Sequence, residues 1–145
     1  MNNLYEAINQ FLADQTVAAM KIHNVHWFMV GEGFFPMHGL MDDFYDDAQE
    51  RIDEVAERLL MIGAKPIGNL AEMLEVSSIK ELDDEYKTAK AGMEHLLVDF
   101  DILANQARYT IKLAEEESDY GTADLFTSML RDIEKTIWTL KAYIH

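Results

Sequence analysis

The chain has 145 residues, contains no cysteine and carries a formal net charge of −15 at pH 7. This length supports one hydrophobic core, so we expect a single domain over residues 1–145. The lack of cysteine excludes disulfides, thiolate metal sites and a cysteine nucleophile. The acidic balance opposes binding to polyanions such as DNA and favours the attraction of cations, although an acidic surface can also serve solubility alone.

Neither a signal peptide nor a membrane segment is recognisable. The first residues, Met-Asn-Asn-Leu-Tyr-Glu, lack the basic region and the apolar run of a signal peptide. No apolar run approaches the roughly 20 residues that a membrane helix needs. We therefore expect a cytoplasmic protein with no membrane partner.

The first predicted helix spans about Asn3 to Val30, because apolar residues recur there every three or four positions. Asn2 or Asn3 is a suitable N-cap. The sequence Gly31-Glu-Gly33 interrupts this pattern, so we expect a turn there.

The second predicted helix begins around Phe35, because Pro36 fits best in the first turn of a helix. Its end is predicted near Gly63, with Pro66 just beyond it. The loop between the first two helices is short, which favours an antiparallel hairpin.

The second half of the chain contains one short and two long predicted helices. Residues 64–78 are mixed, with a short helix predicted over 69–76. The sequence of residues 78–81 resembles a capping box and predicts the start of a third long helix that ends at about Glu117. Thr122 can cap a fourth long helix, which continues to the C-terminus.

These elements predict an all-α fold. The connection between the second and third long helices, of about 15 residues, is long enough for a crossover like that of ferritin-like bundles. The predicted fold class is therefore a ferritin-like four-helix bundle with a short extra helix in the long crossover between helices two and three.

Histidines and carboxylates occur at helical spacings in the first two helices. His38 and Asp42 are four residues apart, as are Asp53 and Glu57, so each pair shares a helix face. His26 lies one short loop away and would meet His38 in an antiparallel hairpin. Imidazole nitrogens combined with carboxylate oxygens suit iron, manganese or zinc.

One metal ion cannot reach all of these side chains in a single chain. Fifteen residues separate His38 from Asp53, which amounts to about 22 Å along a helix. The ligands come together if two copies pack about a two-fold axis with their second helices antiparallel. The alternative is that the carboxylates pair with Arg51 and Arg58 on a solvated face and that the histidines serve packing.

The usual di-iron bundle within one chain is not expected, because it needs Glu-x-x-His motifs on two helices. No Asp or Glu of this sequence precedes a histidine by three residues. A site shared between two chains therefore fits the sequence better.

Taken together, the pattern resembles the Dps family, the mini-ferritins. The spacings agree with that family: twelve residues from His26 to His38, fifteen more to Asp53 and four more to Glu57. The resemblance extends over essentially the whole chain through further segments: His23-Asn-Val-His26-Trp27, Gly31, Phe34-Phe35, Gly63-Ala-Lys-Pro66, Asp119-Tyr-Gly-Thr-Ala-Asp124 and Trp138.

The resemblance implies a homododecamer with a hollow interior and ferroxidase sites at its two-fold interfaces. His26 and His38 of one subunit, with Asp53 and Glu57 of its two-fold mate, would bind Fe(II). Asp42 matches the position that supports or ligates a second, weaker iron. No organic cofactor is implied.

Further residues gain roles by the same resemblance. Trp27 matches the tryptophan beside the centre, which could accept radical equivalents, and a packed interface tryptophan is the alternative. Asp119 and Asp124 match positions that build acidic pores for iron, and loop or cap carboxylates are the alternative. The resemblance assigns no role to His23, His95 or His145.

The implied function is iron storage and detoxification. The enzyme would be a ferroxidase that oxidises Fe(II), preferably with hydrogen peroxide, stores the ferric mineral inside the shell and protects the cell from oxidative stress. One alternative is a nucleoid-compacting DNA-binding protein without significant ferroxidase activity. Against it, no Lys or Arg precedes Lys21, so a basic N-terminal tail is lacking. Another alternative is a structural helical oligomer whose metal site has lapsed.

Overall fold

The chain forms a bundle of four long helices with a fifth, short helix. The structure, a computed structural model, describes residues 2–145. The helices are α1 (Asn3–Phe28), α2 (Phe34–Met61), α3 (Leu70–Val76), α4 (Ala89–Glu116) and α5 (Tyr120–Ile144). α1 pairs with α2 and α4 pairs with α5, while α1 also contacts α4 and α3. The predicted all-α ferritin-like bundle with a short helix in the crossover is confirmed.

The turn between α1 and α2 depends on two glycines. Gly31 and Gly33 have φ angles of 91° and 84°, in the left-handed region that side chains with a Cβ avoid. α2 therefore begins at Phe34 and holds Pro36 in its first turn, as predicted. This short turn sets the end of α1 beside the start of α2.

The prediction that a long helix starts at the capping box of residues 78–81 is wrong. α4 begins at Ala89, where the side chain of Thr88 accepts a hydrogen bond from the backbone N–H of Ala91. Ser78 instead donates its backbone N–H to the carboxylate of Asp14, at 2.6 Å. This buried carboxylate of α1 binds the backbone of Ser78, so no helix begins there. The crossover therefore extends from residue 62 to residue 88.

The N-cap of α5 also differs from the prediction. Asp119, rather than Thr122, occupies this position, and its carboxylate accepts hydrogen bonds from the backbone N–H and the hydroxyl of Thr122 at 3.1 and 2.6 Å. The helix therefore starts at Tyr120. An aspartate can satisfy two donors at once, which makes it the better cap here.

The core lies between α1, α2, α4 and α5. At its centre the rings of Phe11 and Phe126 meet edge to face at 5.1 Å. No helix within residues 2–145 is long and apolar enough to cross a membrane.

Gly92 allows α1 and α4 to approach closely, because a Cβ added there would lie 2.6 Å from a methyl group of Val25. We expect Gly92→Ala to destabilise the protein by about 1–3 kcal/mol, since the buried, branched Val25 cannot move aside easily. Thermal unfolding measures this change. Gly39→Ala is the matched control: that helical position has nothing within 4 Å, so alanine should leave stability equal or higher. Equal effects at both positions would contradict the close approach.

Candidate metal centre

The hairpin of α1 and α2 brings His26 and His38 into contact, as expected from the sequence. Their rings stack with centroids 3.7 Å apart and planes 11° from parallel. Nδ1 of His26 donates to the carbonyl oxygen of His38 at 2.7 Å, and Nδ1 of His38 donates to the carbonyl oxygen of His26 at 2.9 Å. Two reciprocal hydrogen bonds therefore fix both rings to the backbone of the opposite helix.

These bonds also determine the tautomer of each neutral ring. A carbonyl oxygen can only accept, so Nδ1 of each histidine must carry its proton. The lone pair then lies on Nε2 in both rings. A second hydrogen bond that fixes the tautomer and orientation in this way is typical of metal-binding histidines.

Asp42 lies beside Nε2 of His26, the ring nitrogen that makes no hydrogen bond to the opposite helix. Its carboxylate is 3.5 Å from Nε2 of His26, and its side chain is 65 % exposed, whereas that of His26 is only 13 % exposed. The imidazole nitrogen and the carboxylate therefore face the same point outside the bundle. A cation placed there would meet ligands of both kinds.

α2 carries the other candidate ligands on its exposed face. Its buried residues are Met41, Phe44, Ala48, Arg51, Val55 and Leu59. At 3.6 residues per turn, His38, Asp42, Asp53 and Glu57 fall within an arc of about 100° on the side away from that stripe. Asp53 and Glu57 are exposed.

One chain does not bring all these ligands together. His38 and Asp53 lie on the same unbroken helix, so the separation of about 22 Å along it holds. Within residues 2–145 no group of three or more His, Asp or Glu side chains is close enough to hold a metal ion. The structure stacks His26 on His38 and sets Asp42 beside His26, without closing these three into a metal site, and it leaves Asp53 and Glu57 apart from them.

His23 and Tyr45, to which the sequence analysis gives no role, lie near the pair of His26 and His38. The ring of His23 stacks on that of Tyr45 at 3.5 Å and lies 4.8 Å from that of Trp27. Burial is the main reason that the pKa of His23 lies below its usual value; the neighbouring His26 lowers it further, while Asp42 opposes the change. His23 and His26 are three residues apart and so share a face of α1, but no sequence pattern indicates that His23 stacks on Tyr45 of α2.

Asp119 connects the start of α5 to α2. Nη2 of Arg58 donates to its carboxylate at 2.9 Å, and Nε of Arg58 donates to the hydroxyl of Thr122 at 3.0 Å. Asp124 is exposed in the first turns of α5. The structure thus makes Asp119 a cap and an ion-pair partner, while the role of both aspartates in a pore remains a prediction.

We expect Asp119→Asn to weaken the acid sensitivity of the fold. Burial raises the pKa of Asp119, but the hydrogen bonds from Thr122 and Arg58 outweigh it, so the pKa lies below its usual value. A lowered pKa in the folded state contributes stability above the unfolded pKa that is lost as the pH falls toward the folded value. The variant should therefore lose less thermal stability than the wild type between about pH 6 and pH 3. Asp124→Asn is the control, and identical pH profiles for Asp119→Asn and wild type would contradict this role.

A groove between α2 and α5 forms a second acidic region, with a volume of about 650 Å³. Burial raises the pKa of Asp47 in this groove, and Arg51 opposes the change while Glu50 adds to it. Neighbouring carboxylates repel one another unless cations or protons compensate them, and Arg51 and Lys135 in the same lining do so only in part. Its acidic lining consists of Asp43, Asp47, Glu50, Glu54 and Asp132.

Comparisons with known proteins agree with this architecture. The ferritin-like domain family matches residues 5–145. The DNA protection during starvation protein of Listeria innocua is 39% identical over 140 residues, which cover 96% of this chain and 90% of that protein. The crystal structure of Dps from Staphylococcus aureus has a TM-score of 0.95 at 34% identity and covers 100% of this chain and 97% of its own.

Another similar structure is that of the Vibrio cholerae DPS protein, described as a member of a broad superfamily of ferritin-like diiron-carboxylate proteins. It has a TM-score of 0.94 at 35% identity and covers 98% of this chain and 89% of its own. The bundle and its crossover helix thus define a ferritin-like protein. Within that class, the chain belongs to the Dps family. Membership supports a general role in iron storage and oxidative protection.

Proposed function

We propose that this protein is an iron-storing ferroxidase whose catalytic centres are shared between two chains. It oxidises Fe(II), preferably with hydrogen peroxide, and keeps the ferric product inside a hollow homododecamer. The observation that carries the proposal is the stacked pair of His26 and His38, whose bonded Nδ1 atoms leave the lone pair of each ring on Nε2, beside an exposed acidic helix face. The iron is substrate and cargo rather than a resident cofactor.

A two-fold contact between α2 helices completes the centre. When two copies of α2 run antiparallel, the His38 end of one faces the Glu57 end of the other, and the same contact repeats in reverse. Each dimer then has two equivalent centres. His26, His38 and Asp42 come from one chain, and Asp53 and Glu57 come from its mate.

Exposed apolar side chains support this contact. Phe35 near the start of α2 is 87% exposed, and Leu60 near its end is 62% exposed. Both fall within the same arc of about 100° as the candidate ligands. The two side chains flank the acidic and histidine ligands at opposite ends of α2, so an antiparallel contact between two α2 helices would remove both from water.

The ligand set suits the reaction. Neutral imidazoles bind the incoming Fe(II), and the carboxylates of Asp53 and Glu57 stabilise the harder Fe(III) product. One hydrogen peroxide takes one electron from each of two Fe(II) ions and two protons from water, and it becomes two water molecules. The two hydroxide ions left by those protons stay with the ferric product. A two-electron oxidation of this kind releases no hydroxyl radical.

The acidic groove between α2 and α5 is the proposed nucleation surface for the mineral. Its five carboxylates would bind ferric ions, which relieves their mutual repulsion. The net charge of −15 per chain would draw Fe(II) toward the shell. Asp119 and Asp124 stay the predicted residues of a pore that admits iron.

Direct DNA binding is not part of the proposal, although the Listeria innocua relative is named for DNA protection. The chain carries 27 acidic residues against 12 Lys and Arg, and no basic residue precedes Lys21. Phosphate contacts require clustered Lys and Arg. A gel shift at physiological salt should therefore leave DNA unbound, and a stable complex would favour the nucleoid-compacting alternative.

The test loads the iron-free protein anaerobically with Fe(II) and then adds hydrogen peroxide. Ferric absorbance and peroxide consumption are followed together, and sedimentation reports whether the iron stays within a soluble shell. We expect oxidation far faster than in buffer, with peroxide and iron consumed in the ratio of the balanced reaction. A wild-type protein that oxidises iron no faster than buffer would overturn the proposal.

A further inference from the structure

α2 carries carboxylates on two faces, and only one of these faces also offers imidazole. Its exposed face presents Asp53 and Glu57, which the proposed centre combines with His26 and His38. Its other acidic face borders the groove toward α5, and none of the residues within 2–145 that line this groove is a histidine. Fe(II) attracted by carboxylates alone would therefore also collect in the groove, away from the histidines.

Arg51 of α2 places a buried positive charge in this groove. The residue is 8% exposed and lines the groove, and its Nε donates to Oε1 of Gln15 on α1 at 2.7 Å. Within residues 2–145 this is the one hydrogen bond of the guanidinium, and no carboxylate oxygen lies within 4.0 Å of it. α1 therefore holds the charge in position, and no single carboxylate neutralises it.

The carboxylates of the groove are compensated only in part. Burial raises the pKa of Asp47, and Arg51 opposes the change. Burial also raises the pKa of Glu54, the neighbouring Glu50 adds to the rise, and Arg51 again opposes it. The second cation of the lining is the exposed Lys135. Five carboxylates against these two cations leave a formal charge of −3, so the groove attracts cations while the charge of Arg51 repels them.

We propose that Arg51 is a specificity-determining residue, which keeps Fe(II) out of the groove and leaves this surface to Fe(III). This role rests on the proposed function, because Fe(II) must then reach the histidine pair before it is stored. A fixed positive charge raises the energy of every cation bound beside it, so only an ion with strong bonds to carboxylate remains. Fe(III), the harder ion, forms such bonds, whereas Fe(II) also suits imidazole. Fe(II) therefore collects at His26 and His38, and iron enters the groove after oxidation.

Binding of Mn(II), a divalent ion that prefers oxygen ligands, tests the groove without iron oxidation. The Asp53→Asn, Glu57→Gln protein is the background, because it lacks the carboxylate half of the proposed centre, and electron paramagnetic resonance measures the free Mn(II). Arg51→Gln removes the charge and keeps a donor for Gln15. We expect this variant to raise the affinity of the groove for Mn(II) about tenfold. Arg51→Met is a second neutral variant and should have the same effect.

Two controls separate the position of the charge from its loss. Arg51→Lys keeps the positive charge and should bind Mn(II) like the background protein. Arg108→Gln is the matched control, because it removes one positive charge from an exposed position on α4 outside the groove. If Arg51→Gln and Arg51→Met bound Mn(II) no more tightly than Arg108→Gln, the proposal would be overturned.

Kinetics with the intact centre provide a second readout. When Fe(II) is added at a few ions per chain, Arg51→Gln should raise the apparent KM for Fe(II) several-fold and leave kcat unchanged, because the groove then competes for the substrate. An unchanged KM would contradict the separation of Fe(II) from the groove. A wild type that oxidises no iron would instead overturn the proposed function, and the Mn(II) comparison would still decide whether Arg51 excludes divalent ions.

Discussion

An Asp53→Asn, Glu57→Gln variant is expected to assemble like the wild type and to oxidise Fe(II) with peroxide at the rate seen in buffer. Both side chains are exposed, so their replacement by neutral groups of the same shape leaves the core intact. The two carboxylates are the proposed ligands that favour Fe(III), and amides do not supply that charge. Stopped-flow absorbance of ferric iron measures the loss, and sedimentation checks the assembly.

The control for this variant removes the same charge elsewhere. Glu94→Gln with Asp101→Asn neutralises two exposed carboxylates on α4. The two double variants lose the same charge, so the general attraction of cations falls equally in both. The control should nevertheless oxidise iron like the wild type, because neither Glu94 nor Asp101 is a proposed ligand. If both double variants lost activity to the same extent, the effect would come from overall charge and not from a site at Asp53 and Glu57.

The largest expected effect on stability is that of Asp99→Ala. Nζ of Lys21 lies 2.9 Å from both carboxylate oxygens of Asp99, and both side chains are buried between α1 and α4. Burial raises the pKa of Asp99, and Lys21 opposes that rise. Removal of the carboxylate leaves a buried ammonium without its partner, which costs about 3–5 kcal/mol of unfolding free energy. Denaturant unfolding measures the change.

A second variant tests whether the lost stability comes from the ammonium of Lys21 left buried without a partner. Lys21→Met with Asp99→Leu removes both charges and fills the space with apolar atoms, so most of the lost stability should return. The double variant should therefore be more stable than Asp99→Ala alone. If Asp99→Ala unfolded at the same denaturant concentration as the wild type, the buried pair would not hold α1 to α4.

The helices were predictable because their apolar residues repeat with helical periodicity. The start of α4 was not, because the sequence Ser78-Ile-Lys-Glu81 satisfies the local rule for a helix start while Asp14, more than sixty residues away, binds the same backbone. A buried carboxylate that accepts several donors outweighs a local capping preference. The sequence of residues 78–81 gives no indication that Asp14 binds this backbone.

Some contacts of the candidate site could likewise be predicted from the sequence, and others could not. The contact of His26 with His38 follows from two helical spacings and one short loop, so the sequence was sufficient to predict it. The reciprocal bonds from Nδ1 to the opposite carbonyl depend on the exact register of two helices, which spacing alone does not determine. The same register stacks Tyr45 on His23. These residues are 22 positions apart, and no sequence motif predicts their contact.

The most direct test of the shared centre is a mixing experiment. His38→Ala removes one half of each proposed centre, and the Asp53→Asn, Glu57→Gln variant removes the other, so each protein alone should be inactive. When the two are co-expressed and pair at random, roughly one quarter of the centres combine an intact histidine half with an intact carboxylate half. We expect ferroxidase activity to return to about that fraction of the wild type. Mixed shells that stay as inactive as either parent would contradict a centre built from two chains.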